Sequence, residues 1–555
     1  MKKHRIILSM IIMTIISISL IAVSYAIYIV TLDNATSDNV VMTSGTLGLT
    51  YTDCGTNYSS DCAIITSTLK PGDSITKTFR VQNTGNVKAR YSILFSEIQN
   101  TFRHNDLVYK IEDITNGNVE IQSEKPVPYR PSSSTNAIAF SNETINVSET
   151  KQYRITIKFQ NKETNQLENL NATFSLKMGI KSKPLAADPN DIPANHLKER
   201  ISDNNIFGNT SIQTSQVATI TAVTTNVVPS NAIGSFNVQA PGGTVGSVKA
   251  WYTSCESTPE SWEETNCYDL YIGQDGGVVA PTNSTRLFSN YSNVVSIDLQ
   301  NLNTDYVTNM NGILSSMPKL VNLNVSNWDT SNVINMNNMF YRSNGLTVLD
   351  LRHFDVSNVT NMNYMFGDYS KSMGLTEIIG IEDFDTSNVT DFGAMFKGCG
   401  NIEILDLNNW DILKGNRFEY LFDNCNNLST LSIDNWNATP AGNLTNLFKN
   451  CYKLTSLNLS NWNTSNVIKI EGLFWGDSLL TYINLDGWDL SNVTSADKIA
   501  YVFNGCSSLT TLITPSVMSP LNISLSVTLR TQSGQTYSYL TPSTPVSTEL
   551  RKSWT

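Results

Sequence analysis

The sequence predicts a mainly β chain in which an N-terminal β-sandwich is followed by an α/β repeat solenoid of about eight coils. Three observations predict this fold class. Short runs that alternate apolar and polar residues, separated by turn residues, fill the first third of the chain. An aromatic residue or leucine recurs about every 26 residues in the second half. A second apolar column follows the first at a distance of twelve residues.

The first residues have the form of an export signal. Three basic residues within the first five precede an uncharged apolar run, residues 6–32, and Ser24-Tyr25-Ala26 is a small-residue cleavage site. A cleaved signal peptide is the preferred interpretation, and a retained anchor is the alternative because about 20 apolar residues span a bilayer. We therefore expect residues 1–26 to be a signal peptide or membrane anchor. The rest of the chain is then extracellular, either secreted or at the cell surface, and meets the membrane only through this segment if it is uncleaved.

The charge pattern argues against nucleic acid as a partner. The net charge is −11, charged residues make up only 15% of the chain, and no basic run extends beyond the first five residues. A phosphate-binding surface needs clustered Lys and Arg. The hydrophobic content of 40% is enough to fill cores, which argues against wholesale disorder.

Residues 27–181 predict the β-sandwich. The segments 74–81, 152–159 and 172–178 alternate cleanly, and turn residues such as Lys70-Pro-Gly-Asp73 separate them. Together with Ser24-Tyr-Ala-Ile-Tyr28, this part resembles the camelysin and TasA-like secreted proteins of biofilm matrices. That resemblance implies self-association through the sandwich.

The remaining boundaries follow composition. Prolines mark residues 182–216 as a linker, with a short amphipathic helix at 194–201. Residues 217–292 form a β-rich N-terminal cap, residues 293–512 the solenoid, and residues 513–555 a C-terminal β cap with a hairpin around Gln532-Ser-Gly534.

Two columns of apolar residues define the repeats. One aromatic per repeat is followed twelve residues later, or slightly more after an insertion, by a phenylalanine. We expect both columns to form the repeat core, which comprises Trp328, Phe354, Phe384, Trp410, Trp436, Trp462, Trp488, Phe340, Phe366, Phe396, Phe422, Phe448, Phe474 and Phe503.

A single repeat predicts one strand and one short helix. Leu349-x-Leu351 alternates as a strand, whereas Met362-x-x-Met365-Phe366 has the spacing of one or two helical turns. Asp355-Val-Ser-Asn358 between them is turn chemistry. One repeat buries too little apolar surface to fold alone, so neighbouring repeats must stack.

The repeats are similar to the BspA-like leucine-rich repeats of bacterial surface proteins. The strings that carry the similarity are Trp328-Asp-Thr-Ser-Asn-Val-Ile-Asn-Met336, Phe384-Asp-Thr-Ser-Asn-Val-Thr-Asp391 and Trp462-Asn-Thr-Ser-Asn-Val-Ile468. This resemblance implies a leucine-rich-repeat-like solenoid on the cell surface, with a role in adhesion or host contact.

The eight cysteines divide into two kinds. Cys54 with Cys62, and Cys255 with Cys267, are close enough in sequence to close short disulfides in an exported protein. Cys399, Cys425, Cys451 and Cys506 form a column three residues after the phenylalanine column. Buried free thiols are the preferred interpretation of that column, with disulfides or a metal as alternatives.

No motif predicts catalysis or a cofactor. The chain has four histidines, and none pairs with a nucleophile or a metal-ligand motif, so we expect no enzyme activity and no metal. A column of Asp and Asn after the aromatics could suggest calcium, but capping of turns is the simpler interpretation. Its members are Asp329, Asp355, Asp385, Asp411, Asn437, Asn463 and Asp489.

These observations predict a surface protein that binds an extracellular protein or glycan through its repeats. The outward strand positions are the candidate binding face, although a solvated surface with no partner is the alternative. They include Asn324, Asp350, Arg352, Asp406, Asp434, Asn458, Tyr482 and Asn484. A structural fibre-forming matrix protein, with the solenoid as an appendage, is the second hypothesis.

Overall fold

The computed structural model describes most of the chain after the leader. The described residues are 49–53, 64–66, 70–83, 89–102, 106–127, 130–161, 172, 174–184, 188–200, 205–255, 266–369, 373–433, 436, 442–460 and 462–553. The predicted leader lies outside them. The described part is mainly β, with several small sheets, none of them closed, and it contains no helix long and apolar enough to cross a membrane.

The chain divides into two compact units, residues 1–186 and 187–555. The described strands of the first unit are β1 Leu49–Asp53, β2 Ile64–Thr66, β3 Ser74–Asn83, β4 Ala89–Asn100, β5 Leu107–Asp113, β6 Val119–Pro126, β7 Arg130–Ile145, β8 Thr150–Phe159 and β9 Phe174–Pro184.

The described strands of the second unit are mostly two or three residues long. They are β10 Asn205–Ile206, β11 Asn209–Gln213, β12 Val217–Val223, β13 Gly234–Asn237, β14 Val248–Ser254, β15 Tyr268–Gln274, β16 Val278–Val279, β17 Ser296–Asp298, β18 Leu302–Asn303, β19 Asn322–Asn324, β20 Val348–Asp350, β21 Glu377–Ile379, β22 Ile404–Asp406, β23 Thr430–Ser432, β24 Ser456–Asn458, β25 Tyr482–Asn484, β26 Thr511–Ile513, β27 Ile523–Arg530, β28 Thr536–Leu540 and β29 Glu549–Arg551. The described helices are short 3₁₀ turns at Pro189–Asp191, Thr214–Gln216, Ile381–Asp383 and Ala496–Lys498.

The first unit has two antiparallel sheets around one core. A five-stranded sheet has the order β1-β3-β8-β5-β6, and a four-stranded sheet has the order β2-β9-β4-β7. The alternation along β8 explains which of its side chains fill this core. The inward side chains are at most 1% exposed, and they are Tyr153, Ile155, Ile157 and Phe159. The rings of Phe95 in one sheet and Tyr109 in the other lie 4.7 Å apart. The strands predicted at 74–81, 152–159 and 172–178 are confirmed as β3, β8 and β9.

The second unit begins with a sheet that continues into the repeats. Strand β12 pairs in parallel with β15 on one side and with β17, the first repeat strand, on the other. The helix predicted at 194–201 is wrong within its described residues, 194–200. Leu197 instead forms an antiparallel bridge with Gln239, and its amide donates to the carbonyl of Val279. The backbone of Leu197 therefore bonds to neighbouring segments rather than within a helix.

Successive repeats are joined by parallel pairing. The paired residues are 26 positions apart between β17 and β19 and 29 apart between β20 and β21, where an insertion lengthens the repeat. A second line of parallel bridges connects Asn309 with Asn335 and Asn335 with Asn361. Buried residues from Leu197 to Leu550 form one continuous hydrophobic cluster.

The helix predicted at the end of each repeat is wrong. In the segment 362–366, the amides of Met362, Tyr364 and Phe366 donate to carbonyls of the next repeat, at 2.9–3.0 Å. An α-helix would use those amides within the segment. The amide of Met365 closes a turn on Met362, at 3.0 Å. The three- and four-residue spacing therefore comes from turns that alternate with bonds to the neighbouring repeat.

The C-terminal segment closes the end of the repeats. Strand β26 pairs in parallel with β25 and antiparallel with β29. The predicted hairpin is confirmed, since β27 and β28 pair antiparallel around the turn at residues 531–535. Leu529, Leu540 and Leu550 from these strands join the core of the repeats.

Candidate binding surfaces of the repeats

Both predicted aromatic columns lie inside the repeats. All fourteen residues are at most 7% exposed. From Phe340 to Phe503, neighbouring rings of the phenylalanine column are stacked with centroids 5.5–5.9 Å apart. Trp410, Trp436, Trp462 and Trp488 form a second stack with centroids 5.9–6.4 Å apart. Neighbouring repeats are therefore packed through one ring stack from Phe340 onwards and through two from Trp410 to Trp488.

The Asp-Thr-Ser-Asn string holds the turn between the two columns. Asp329 Oδ1 accepts a hydrogen bond from the Ser331 amide at 2.8 Å, and Asp355 and Asp489 do the same with the serine two residues on. The hydroxyl of Thr330 donates to the carbonyl of Asp355 in the next repeat, at 3.0 Å. The capping role predicted for this column is confirmed at these positions, whereas Asn437 lies outside the described residues.

The cysteine column is built into the backbone of the stacked repeats. The thiol of Cys425 donates to the Phe396 carbonyl of the preceding repeat at 3.2 Å, and Cys399, Cys451 and Cys506 do the same with Phe366, Phe422 and Phe474. All four are free and buried, as predicted. Burial raises the pKa of each thiol above its ordinary value. Tyr369, which follows Phe366 by the same three residues, is instead 59% exposed.

We expect these four thiols to be unreactive in the folded protein. The thiolate is the reactive species, and both burial and the raised pKa suppress it. Maleimide treatment at pH 8, followed by peptide mass mapping, should leave the four cysteines unlabelled in buffer and label all four in concentrated denaturant. Labelling of any of the four at a rate typical of exposed thiols would contradict the buried column.

One of the two predicted disulfides lies among the described residues. Cys255 and Cys267 are bonded, with their Cα atoms 5.5 Å apart. The bond connects the end of β14 to the residue before β15, two antiparallel neighbours. Cys54 and Cys62 lie outside the described residues.

The predicted strand face has a structural task. Asn324, Asp406, Asn458 and Asn484 each accept a hydrogen bond from the amide two residues further on, at 2.9–3.3 Å. Asp350 does so as well and also accepts from Arg352 Nε at 2.9 Å, which lowers the pKa of its carboxyl. Tyr482 starts β25 and is half-buried, with a pKa raised by burial, and Asp434 lies outside the described residues. These polar side chains are therefore largely committed to the turns that follow the strands.

A different face of the repeats carries exposed aromatic residues. We define the aromatic strip as Tyr341, Tyr364, Tyr369, Lys397, Tyr420, Lys449, Trp475 and Tyr501. These residues are half-buried or exposed and lie close to the buried phenylalanine column in sequence.

Contacts between repeats make the strip nearly continuous. Tyr341 packs edge-on against Tyr364 and Tyr369, with centroids 5.8 and 6.2 Å apart. Lys397 lies over the rings of Tyr369 and Tyr420, at 5.2 and 4.2 Å. Further along the same face, the side-chain amide of Asn450 donates a hydrogen bond to Asn424 Oδ1 at 2.8 Å.

At the far end of the strip, a second group of rings stacks. Lys449 lies over the ring of Trp475 at 4.0 Å. Trp475 in turn stacks on Tyr501, with centroids 5.1 Å apart. Since parallel neighbours are spaced by about 4.8 Å, the six steps from Tyr341 to Tyr501 extend over about 30 Å.

Three tyrosines of the strip, Tyr364, Tyr420 and Tyr501, occupy a strained backbone position. The residue two before the phenylalanine column has a left-handed backbone in nine successive repeats, with φ between +52° and +62°. Those residues are Arg286, Gly312, Asn338, Tyr364, Ala394, Tyr420, Asn446, Gly472 and Tyr501. Glycine and asparagine adopt this conformation readily, whereas other residues lose roughly 1–2 kcal/mol.

The strip was not predicted from the sequence, although part of its signal is readable there. Tyr364, Tyr420 and Tyr501 share one position relative to the phenylalanine column, which spacing alone reveals. Tyr341, Lys397 and Trp475 occupy another, one residue after that column. The stacking of repeats brings these two positions together.

Comparison with known proteins corrects the two resemblances. The repeats match the family described as "Mycoplasma protein of unknown function, DUF285" over residues 282–374, 378–456 and 417–519. No curated protein and no solved structure matches the chain. The resemblances to BspA-like leucine-rich repeats and to camelysin and TasA-like proteins are therefore wrong. The short helix expected for each repeat is also missing from the described segments, so what the repeats share with a known family is the DUF285 pattern.

Proposed function

We propose that this chain is an exported cell-surface protein whose repeats form a solenoid that binds an extracellular protein or glycan. In this proposal the two sheets of the first unit form a β-sandwich and the chain has no catalytic role. The observation that carries the proposal is the aromatic strip. Exposed tyrosine and tryptophan side chains are enriched where proteins bind ligands, because their rings supply contact area at low entropic cost.

The leader and the composition support the location. A basic start followed by a long apolar run is typical of export, and a net charge of −11 with few basic clusters suits an extracellular ligand better than nucleic acid. The disulfide Cys255–Cys267 is the kind of crosslink that persists outside the cytoplasm. The fibre-forming alternative rested on the TasA-like resemblance, and we do not propose it.

Two measurements on the full chain test this function. Intact cells that express the protein should lose the repeats on brief protease treatment, which places them outside the membrane. The purified full chain should bind saturably to at least one immobilised extracellular-matrix protein or polysaccharide, with a Kd of about 1 μM, equivalent to roughly −8 kcal/mol. Full protection of the repeats in intact cells, or a folded chain that binds no such surface, would contradict the proposal.

A further inference from the structure

We infer that the aromatic strip is a binding site for a linear, uncharged polysaccharide. This inference rests on the proposed function and specifies its ligand. Its first support is the strained position of three tyrosines. At Tyr364, Tyr420 and Tyr501 the chain carries a bulky ring at a left-handed backbone position. In other repeats this position holds residues that tolerate φ near +60°, Gly312, Asn338, Asn446 and Gly472, or residues with the same backbone and no aromatic ring, Arg286 and Ala394.

Strain of this kind points to a use for the ring itself. Nothing in the backbone requires tyrosine, since the same hydrogen-bond pattern continues through Gly312, whose amide bonds to the next repeat at 2.8 Å. Residues held in a sparsely populated backbone region cluster at binding sites, where the side chain justifies the cost. Three independent occurrences at one position, on one face, make a packing accident a poor explanation.

The arrangement of the rings fits a linear ligand. The strip is a row along the repeats, about 30 Å long and one or two side chains wide. Energetically dominant residues of protein–protein interfaces tend instead to cluster near the centre of a patch. A polymer of sugar rings, which repeats along its length, can use one aromatic or amide group per repeat. The apolar faces of sugar rings pack on aromatic rings, and their hydroxyls hydrogen-bond to exposed polar side chains such as that of Asn504.

The charges of the strip favour an uncharged ligand. Lys397 pairs with the buried Asp423 at 2.8 Å, and Arg342 beside Tyr341 pairs with the buried Asp368 at 3.3 Å. The positive charge of Lys449 lies over the ring of Trp475. Since buried carboxylates balance Lys397 in the strip and Arg342 beside it, the field that an anionic polymer would need is weak.

The test replaces the strained rings with the residue that the fold already uses there. In the triple variant Tyr364→Asn, Tyr420→Asn and Tyr501→Asn, the left-handed backbone is preserved and relaxed. The full chain and the variant are run by affinity electrophoresis in gels that contain hydroxyethylcellulose, galactomannan or dextran. We expect at least one of these polysaccharides to retard the wild type, with affinity reduced at least tenfold in the variant. Tyr539→Asn, which removes from β28 a ring about as exposed as that of Tyr501, should bind as wild type does.

Thermal unfolding and the matched control separate binding from folding. Because asparagine removes strain, the unfolding temperature of the triple variant should fall by no more than that of the Tyr539→Asn control. A wild type that none of the three polysaccharides retards, retention of binding in the triple variant, or binding only to anionic hyaluronan would each overturn the inference. If the chain then binds a matrix protein in the assay of the proposed function, the function stands and its sugar ligand is wrong. A chain that fails both assays would contradict both the sugar ligand and the proposed binding function.

Discussion

Replacing Phe422 with alanine is expected to lower the free energy of unfolding of the second unit by about 3–5 kcal/mol. The ring is fully buried and stacks on Phe396 and Phe448 at 5.7 and 5.8 Å. Its removal leaves a cavity between three repeats, which the stacked neighbours cannot close without breaking their parallel pairing. Because the ring contacts both neighbouring repeats, its loss weakens two interfaces at once.

Urea unfolding followed by tryptophan fluorescence measures this effect. Trp436 is a suitable reporter, because its ring lies 6.4 Å from that of Phe422. The alanine variant should lower the midpoint by about 1 M or more. Phe422→Leu is the matched control, since Leu314 occupies the same column and an apolar chain of similar reach keeps most of the contacts. An alanine variant that unfolds at the same midpoint as the leucine variant would show that the ring stack contributes little.

Asp477→Asn is expected to stabilise the protein at neutral pH by about 1–3 kcal/mol. Asp477 stands in the cysteine column between Cys451 and Cys506 and is fully buried. Its Oδ1 accepts a hydrogen bond from the Cys451 amide at 2.8 Å, whereas its Oδ2 has no partner. The four cysteines donate a hydrogen bond to a carbonyl of the preceding repeat, and Ser343, at the same spacing, does so to Leu314 at 2.7 Å. The Asp477 carboxyl can donate there only if it keeps its proton, which costs free energy above its unfolded pKa, whereas an amide carries its hydrogens at every pH.

Burial gives this carboxyl a predictable pH dependence. Burial raises the pKa of Asp477 well above its usual range, and the hydrogen bond from Cys451 opposes the shift only in part. Because the folded protein holds this proton more tightly than the unfolded chain does, Asp477 contributes fully to stability below the unfolded pKa of about 3.9. That contribution is lost as the pH rises towards the folded-state pKa. The free energy of unfolding of the wild type should therefore fall between about pH 4 and neutrality through this group. The asparagine variant should lack that component.

Urea midpoints at a series of pH values between 4 and 8 would test both statements. Asp385→Asn is the matched control, because it makes the same chemical change at a turn-capping position where Asn463 does the same work in another repeat. The difference between the two variants removes the effect of net charge. A pH slope of the Asp477→Asn variant equal to that of wild type would refute the buried, protonated carboxyl.

Spacing predicted the core of the repeats because stacking demands periodic residues. A ring such as Phe366 can meet Phe340 and Phe396 only if it returns at the same point in each repeat. Spacing could not distinguish a short helix from alternating turns, since both place Met362, Met365 and Phe366 on one side. The hydrogen bonds to the next repeat decide between them, and those depend on a neighbour that the local sequence does not contain.

Local chemistry was similarly informative about turns and uninformative about binding. Asp and Ser in the Asp-Thr-Ser-Asn string predicted capped turns, because the carboxylate and the amide that it caps are only two residues apart. The same local string suggested the wrong family. The candidate binding face was predicted from the outward positions of the strands, but Asn324 and Asp406 use their oxygens for neighbouring amides. Exposure and partners, rather than residue type, determine which side chains are available to a ligand.

The sequence by itself determined a mainly β chain with a periodic buried core, capped turns and buried thiols, because each of these follows from contacts at fixed separation. Only the tertiary structure decided that the repeat ends are turns and that Tyr341, Lys397 and Trp475 meet the strained tyrosines of other repeats in one strip. It also showed that Asp477 has a carboxyl oxygen without a donor. These features arise between repeats, where the position of each group depends on how the neighbouring repeat is placed against it.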